Sequence, residues 1–357
     1  MSETAVRITQ LDGKLPNLAL MKLAHWHRAQ GHRVVFKRTA WRAAGESQYE
    51  AVYGSAIFAY SAPAVERFRS AWPGALVGGT GSGTTYAVED VIGVAEYEHY
   101  DYTDWPDFSA SIGFTQRGCR LRCSFCVVPA KEGKNRSVNT IADIWRGPGH
   151  PKKLHLLDND FFGQPDEQWR ARIAEIRDGG FKVCLNQGIN VRLLSREGAE
   201  ALASVEYRDD SFRERRIYTA WDNLRDEEIF FRGIDTLEAA GIPPKHVMAY
   251  MLVGFAPDET MERVEYRFHK MVERGVLPYP MVYDTRQHGA DGAAKYRRNK
   301  QFQRWALTGL YRAVPSFADY VPGLKRPRVP RPALTPADDL FAASPAGGVP
   351  GCTGGRT

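Results

Sequence analysis

The sequence predicts an α/β protein in two parts, a doubly wound N-terminal domain followed by a partial (β/α)6 barrel. Three observations predict it. Short apolar runs alternate with segments of helical spacing along most of the chain, which is the pattern of βαβ units and parallel sheets. An acidic, aromatic stretch without periodicity, EYEHYDYTDWPDF at 96–108, divides that alternation. The length of 357 residues exceeds what one core usually serves, so two domains of about 100 and 200 residues are expected.

In the first part, residues 1–95, VRITQL leads through Asp12-Gly13-Lys14 into LPNLALMKLAHWHRAQG. There Leu18, Met21, Leu23 and Trp26 roughly follow helical spacing before Gly31 closes the segment. HRVVFKR, EAVYGSAIFAYS and GALVGG read as further strands, the last two separated by the helical APAVERFRSAWP. Residues 96–108 read as a linker. The barrel is expected over 109–290, with strands at SIGFTQRG, KKLHLLDND, FKVCLNQG, RRIYTAWD, KHVMAYMLVGF and YPMVYD. Helices are expected at DEQWRARIAEIRDGG, SREGAEALASV, RDEEIFFRGIDTLEAAG and DETMERVEYRFHKMVERG, some ending at glycine as helices often do. Six such units fall short of a full eight, and functional groups are expected at the carboxyl ends of the strands. Residues 291–324 read as a basic amphipathic helical region, and the Pro, Gly and Ala rich residues 325–357 as a disordered tail.

Composition narrows the class. The chain is 43% hydrophobic and 25% charged, as in ordinary soluble globular proteins, which excludes collagen, coiled coil and wholesale disorder. No apolar stretch approaches the about 20 residues of a membrane span, and MSETAVRITQLDG lacks the pattern of a signal peptide. A cytoplasmic location and no membrane partner are expected. The net charge of +6 is concentrated: residues 295–331 hold ten Lys or Arg against one acid, Asp319. Tyr296, Phe302, Trp305 and Tyr311 are interleaved there, so the segment could contact nucleic-acid phosphates while its aromatics stack on bases. The reading favoured here instead docks those aromatics on the barrel and leaves the cations solvated.

Cysteine placement carries the chemistry. Of five cysteines, Cys119, Cys123 and Cys126 lie within eight residues, in GFTQRGCRLRCSFC, while Cys184 and Cys352 stand alone. A secreted disulfide scaffold would spread its cysteines through a short chain, so a reduced protein with one thiolate cluster is expected. Zinc sites normally recruit four ligands from paired motifs, and no second pair lies at matching spacing. Three clustered thiols suit an iron–sulfur cluster with one iron left open. Cys184, inside an apolar strand, reads as a buried small hydrophobe.

With Phe125 before the last cysteine, this C-x3-C-x2-C loop resembles the signature of the radical S-adenosylmethionine (SAM) superfamily, and the likeness runs through CSFCVVPAKEGKNRSVNTIADI. The resemblance implies an enzyme in which Cys119, Cys123 and Cys126 hold three irons of a [4Fe-4S] cluster and SAM chelates the fourth. Reductive cleavage of SAM, fed by a low-potential electron donor, would give a 5′-deoxyadenosyl radical that abstracts hydrogen from a substrate, here a nucleic acid or nucleotide-derived one. The implied SAM-binding residues are Phe125 and the strand-end groups Asp158, Asn159, Asp160, Gln187, Asn190, Arg192 and Asp222. A carboxylate could bind the amino or ribose groups and Arg192 the carboxylate, and Gly254 would let backbone approach the adenine. Polar residues at strand ends also form turns and caps, and that reading stays open for each. Tyr279, Tyr283 and Asp284 flank the last strand, near the substrate in related barrels.

The first domain resembles the cobalamin-binding, Rossmann-like domain that precedes the barrel in one branch, with Gly78-Gly79-Thr80-Gly81-Ser82-Gly83 where that branch packs the nucleotide tail. The ligating Asp-x-His-x-x-Gly is absent, since the chain reads Asp12-Gly13-Lys14-Leu15-Pro16-Asn17 there. Cobalamin-dependent methyl transfer to a small molecule or peptide is therefore an alternative rather than the first expectation. His25 and His27 read as partly exposed helical residues. Thr84 stands where a phosphate loop needs lysine, which argues against nucleotide hydrolysis. The loop is also like that of methylthiotransferases, but residues 1–118 contain no cysteine for their second cluster. A third expectation is a non-catalytic iron–sulfur regulator that binds DNA.

Overall fold

The structure, a computed structural model, describes residues 4–84, 87–95 and 97–323. The expected tail at 325–357, with Cys352, Lys325, Arg326, Arg328 and Arg331, lies outside them. The chain is a mixed α/β protein built on parallel sheets. The described residues form two compact units: the first contains those up to Phe108 and Cys123–Val127, the second Ser109–Arg122 and those from Val128 to 323.

In the first unit, β1 (Ala5–Gln10) pairs in parallel with β2 (Arg33–Lys37) on one side and β3 (Ala51–Ser55) on the other, and β3 pairs with β4 (Leu76–Gly78). The order is β2-β1-β3-β4, so the winding reverses between β1 and β3. Helix α1 (Leu18–Ala29) starts where the Asn17 side chain accepts from the Leu20 N–H at 3.3 Å, and it buries Leu20, Met21, Leu23 and Ala24. Helix α2 (Ala62–Ala71) has proline in its first turn and buries Val65 and Phe68. Phe68 packs so closely on β3 that a Cβ on Gly54 would lie 2.6 Å from its ring. A short helix, α3 (Val88–Ile92), follows β4. Arg7 is fully buried, paired with Glu46 and stacked on Trp72 at 4.8 Å.

The stretch expected as a linker is packed into this unit. Trp105 is buried and its indole N–H donates to Gln10 Oε1 at 3.0 Å. Arg28 binds Asp101 at 2.5 Å and Asp104 at 2.9 Å, and Lys22 binds Glu98 at 2.6 Å. Three of the acids that marked the stretch as a linker, Glu98, Asp101 and Asp104, pair with cations of α1. His27 is also buried, against Tyr53 and His32, where partial exposure was expected; His25 is half-buried beside Tyr97.

In the second unit, β5 (Ser111–Gly113), β8 (Lys153–Leu156), β9 (Lys182–Leu185) and β10 (Glu206–Tyr207) form one parallel sheet. A second consists of β11 (Ile217–Ala220), β12 (Val247–Val253) and β13 (Leu277–Val282). A two-residue antiparallel pair, β6 (Gln116–Arg117) with β7 (Arg136–Ser137), brackets the cysteine loop in sequence. The helices are α4 (Val128–Glu132), α5 (Ile141–Ile144), α6 (Asp166–Asp178), α7 (Arg196–Ala203), α8 (Glu227–Ala239), α9 (Met261–Glu273) and α10 (Gly289–Leu307). Thr140, Ser195 and Thr260 cap α5, α7 and α9 through their hydroxyls.

One side of each sheet packs on these helices through Leu154, Leu156, Val183, Leu185, Ile217, Trp221, Val247, Ala249, Met251 and Val253. Side chains alternate along a strand. The opposite side therefore carries His155, Cys184, Tyr218 and Tyr250, all buried. In the basic region, Phe302 and Trp305 of α10 are fully buried in the helical core and Tyr311 packs against it. These aromatics are docked on the core, as the favoured reading has it, and Phe302 and Trp305 are unavailable for base stacking. Among the described residues no helix is long and apolar enough to cross a membrane.

Candidate functional site

The loop leading to Cys119 is held by the end of the neighbouring strand β8. Asp158 Oδ1 accepts from the Thr115 and Gln116 N–H groups at 2.7 and 3.1 Å, and its Oδ2 accepts from the Thr115 hydroxyl. Burial pushes this carboxyl up to about 7, against the pull of those hydrogen bonds. Gln116 returns the tie: its Oε1 accepts from the Asp160 N–H at 2.9 Å, while its Nε2 donates to the Gly118 carbonyl at 2.7 Å and to Asn135 Oδ1 at 2.6 Å. Asp160, 1% exposed, takes a two-pronged bond from the Arg120 guanidinium at 2.7 and 3.0 Å. Glu132 Oε2 receives the Gly118 N–H at 3.1 Å and the Asn159 amide at 2.8 Å. Gly118 itself has φ +78°, and a Cβ there would lie 2.4 Å from the Lys134 carbonyl oxygen, so only glycine fits.

Asp158, Asn159 and Asp160, expected to hold SAM, are thus bound to their own chain and fix the loop around Cys119. The same holds at the later strands. Arg192 pairs with Asp226 at 2.8 Å, and Asn190 Oδ1 faces Arg192 Nε at 3.4 Å. Asp222 accepts the Leu252 N–H at 2.7 Å, its carboxyl raised by burial and lowered by Arg267 and Arg192. Gly254 has φ +90°, donates its N–H to Glu259 Oε2 at 2.6 Å, and lies where a Cβ would meet Asn299 Nδ2 at 2.3 Å. Its lack of a side chain is explained by Asn299 rather than by a ligand. Gln187 is exposed, Phe125 half-buried. Asp284 pairs with Arg286 at 2.6 Å, and Tyr283 meets Phe255 edge-on at 5.1 Å.

Sequence reasoning missed two features here. Arg267, 1% exposed, donates to the Trp221 carbonyl at 2.8 Å and the Leu252 carbonyl at 2.9 Å and pairs with Glu259, so one guanidinium ties the ends of β11 and β12. Asn186, also 1% exposed, lies at the end of β9 beside the Gln187 that was singled out. The spacing from Cys184, two residues on, was the available signal.

Cys119, Cys123 and Cys126 are half-buried and form no disulfide, with the Leu121 N–H 3.3 Å from Cys119 Sγ and the Cys126 N–H donating to the Cys123 carbonyl at 3.0 Å. Three cysteines within eight residues are the donor chemistry of an iron–sulfur cluster. Among the described residues no three His, Cys, Asp or Glu side chains are gathered as metal ligands would be. Cys184 is fully buried, and burial raises its thiol well above the ordinary range, which suits a packing residue.

In the first unit the glycine run packs on its own chain. A Cβ at Gly79 would lie 2.2 Å from the Ala56 carbonyl oxygen and one at Gly81 2.2 Å from that of Phe58. The Thr84 hydroxyl donates to the Val77 carbonyl at 2.6 Å. At the reversal of winding, Asp12 accepts the Ile57 and Phe58 N–H groups at 2.9 and 2.8 Å. The close approach expected for a cofactor tail is used by the 56–58 segment.

Comparison with models of known families, with curated proteins and with solved structures finds no match to this chain.

Proposed function

We propose that the protein is a radical SAM enzyme of the cytoplasm, its first unit a Rossmann-like domain and its second a partial (β/α)6 barrel. The observation that carries the reading is the C-x3-C-x2-C loop, without a disulfide, that follows the first strand of a parallel sheet, with Phe125 before the last cysteine. Cys119, Cys123 and Cys126 would hold a [4Fe-4S] cluster. When bound, the cluster and SAM would supply a 5′-deoxyadenosyl radical able to take hydrogen from a substrate.

The chain's own part is positioning. Asp158 and Gln116 lock the approach to Cys119, Asp160 fixes Arg120 beside it, and Glu132 closes the loop onto Gly118. Arg267 and Glu259 brace the far strands. The parallel orders β5-β8-β9-β10 and β11-β12-β13 support the barrel reading, and the order β2-β1-β3-β4 the Rossmann-like one. No comparable observation favours cobalamin, since Gly79 and Gly81 are explained by Ala56 and Phe58.

The test is anaerobic reconstitution with iron and sulfide, then SAM and dithionite, with mass spectrometry for 5′-deoxyadenosine. Wild type should form it and Cys123→Ala should not. A wild-type protein that assembles a cluster yet cleaves no SAM would move the reading to an iron–sulfur regulator.

A further inference from the structure

Among the described residues several buried side chains have one polar atom without a hydrogen-bond partner, but Asn186 has both of its polar atoms in that state. Neither Oδ1 nor Nδ2 of Asn186 has a hydrogen-bond partner in the protein, although the residue is 1% exposed. A buried amide unpaired at both ends is costly unless a ligand completes it. Its placement is defined from both sides. The Tyr250 hydroxyl, from β12, donates to the Asn186 carbonyl at 3.1 Å, and the Gly188 N–H closes a turn onto Leu185 at 3.0 Å. Leu185 belongs to the helix-packed side of its sheet, so Asn186 shares the opposite side with Cys184. Tyr250 there stacks on Tyr218 at 5.7 Å and meets Tyr279 at 5.8 Å.

An Asn side chain presents an acceptor and a donor side by side, the pattern that reads a nucleobase edge with two hydrogen bonds, and flat phenol faces suit a planar ring. Gln187, the next residue, is exposed, so the amide stands one residue from solvent at the carboxyl end of its strand. We infer that Asn186 is the base-recognising residue of the substrate site and that the substrate carries a nucleobase. That this is a substrate site rests on the radical reading above. SAM carries an adenine of the same chemistry, so the experiment must separate the two.

Full-length reconstituted protein is titrated calorimetrically with adenosine, guanosine, cytidine and uridine in turn, with and without saturating SAM. At least one nucleoside should bind saturably and equally well with SAM present. Asn186→Leu should weaken that binding about tenfold, as loss of a two-pronged base contact does. Asn186→Asp, nearly the same shape, keeps the acceptor and loses the donor, and should move the preference toward cytidine, a change that a merely collapsed site would not give. The inference is overturned if no nucleoside binds, if SAM displaces the nucleoside competitively, or if both variants bind as wild type does. Binding is read without turnover. A wild-type protein that binds nucleoside but forms no 5′-deoxyadenosine sinks the radical reading alone, and one that forms it without binding any nucleoside sinks this one.

Discussion

Burial holds two histidines neutral. His27 and His155, 4% and 2% exposed, both have their imidazoles pulled down to about 4, chiefly by desolvation. The unfolded chain takes up these protons below about 6.5, and the fold refuses them until about pH 4. Stability is therefore full above pH 6.5 and falls as pH drops through that window, by about 3 kcal/mol per histidine at most. In urea denaturation at pH 7, 6, 5 and 4 the transition of the first unit, which holds His27, should show the fall and His27→Phe should flatten it; in the second unit Asp158, raised to about 7, takes up its proton over the same window and offsets His155. At Asp158 the expectation concerns the backbone instead. Asp158→Ala leaves the Thr115 and Gln116 N–H groups without their acceptor and should cost about 1–3 kcal/mol, together with a lower yield of reconstituted cluster read by absorbance. These residues were legible as strand-end polar groups, but whether each faces a ligand or its own chain was not. Gln187 and Asn186 differ only in strand phase, and the phase became visible once Leu185 was seen against the helices.

Secondary structure was legible where periodicity is long and caps are present. All six expected barrel strands and the four helices after them occur at their places, as do the four strands of the first unit. The two-residue strands β7 and β10 were missed because two residues carry no pattern. The 97–108 segment was misjudged because its acids find Arg28 and Lys22 some seventy positions away, a separation no window spans. Glycine placement gives the prediction at this scale. Gly81→Ala drives a Cβ to within 2.2 Å of the Phe58 carbonyl, so the backbone must shift, and a loss of about 1–3 kcal/mol is expected by chemical denaturation. Gly83→Ala meets nothing within 4 Å but carries φ +75°, and should cost about 1 kcal/mol or a little more through backbone strain alone.

Each unit has its own core, one around Phe68, Trp72 and Val77, the other around Phe230, Phe268 and Trp305. Calorimetry should resolve two unfolding transitions. Phe68→Ala should lower one and Phe230→Ala the other, each by about 3–5 kcal/mol of its own unit's stability; a single transition moved equally by both would refute independent cores. The excess positive charge was legible as a segment, and docking of Phe302 and Trp305 was the favoured reading of it, but the structure was needed to decide, because an amphipathic helix has the same sequence whether its apolar stripe meets protein or bases. The bond from Trp105 to Gln10 bears on how this protein can be divided. A gene fragment ending at residue 95, where the alternation of strands stops, would discard the indole that seals the end of β1 and the acids that neutralise Arg28 and Lys22. Such a fragment should express as an aggregation-prone product, and one carried through Phe108 should express as a soluble, cooperatively folding domain.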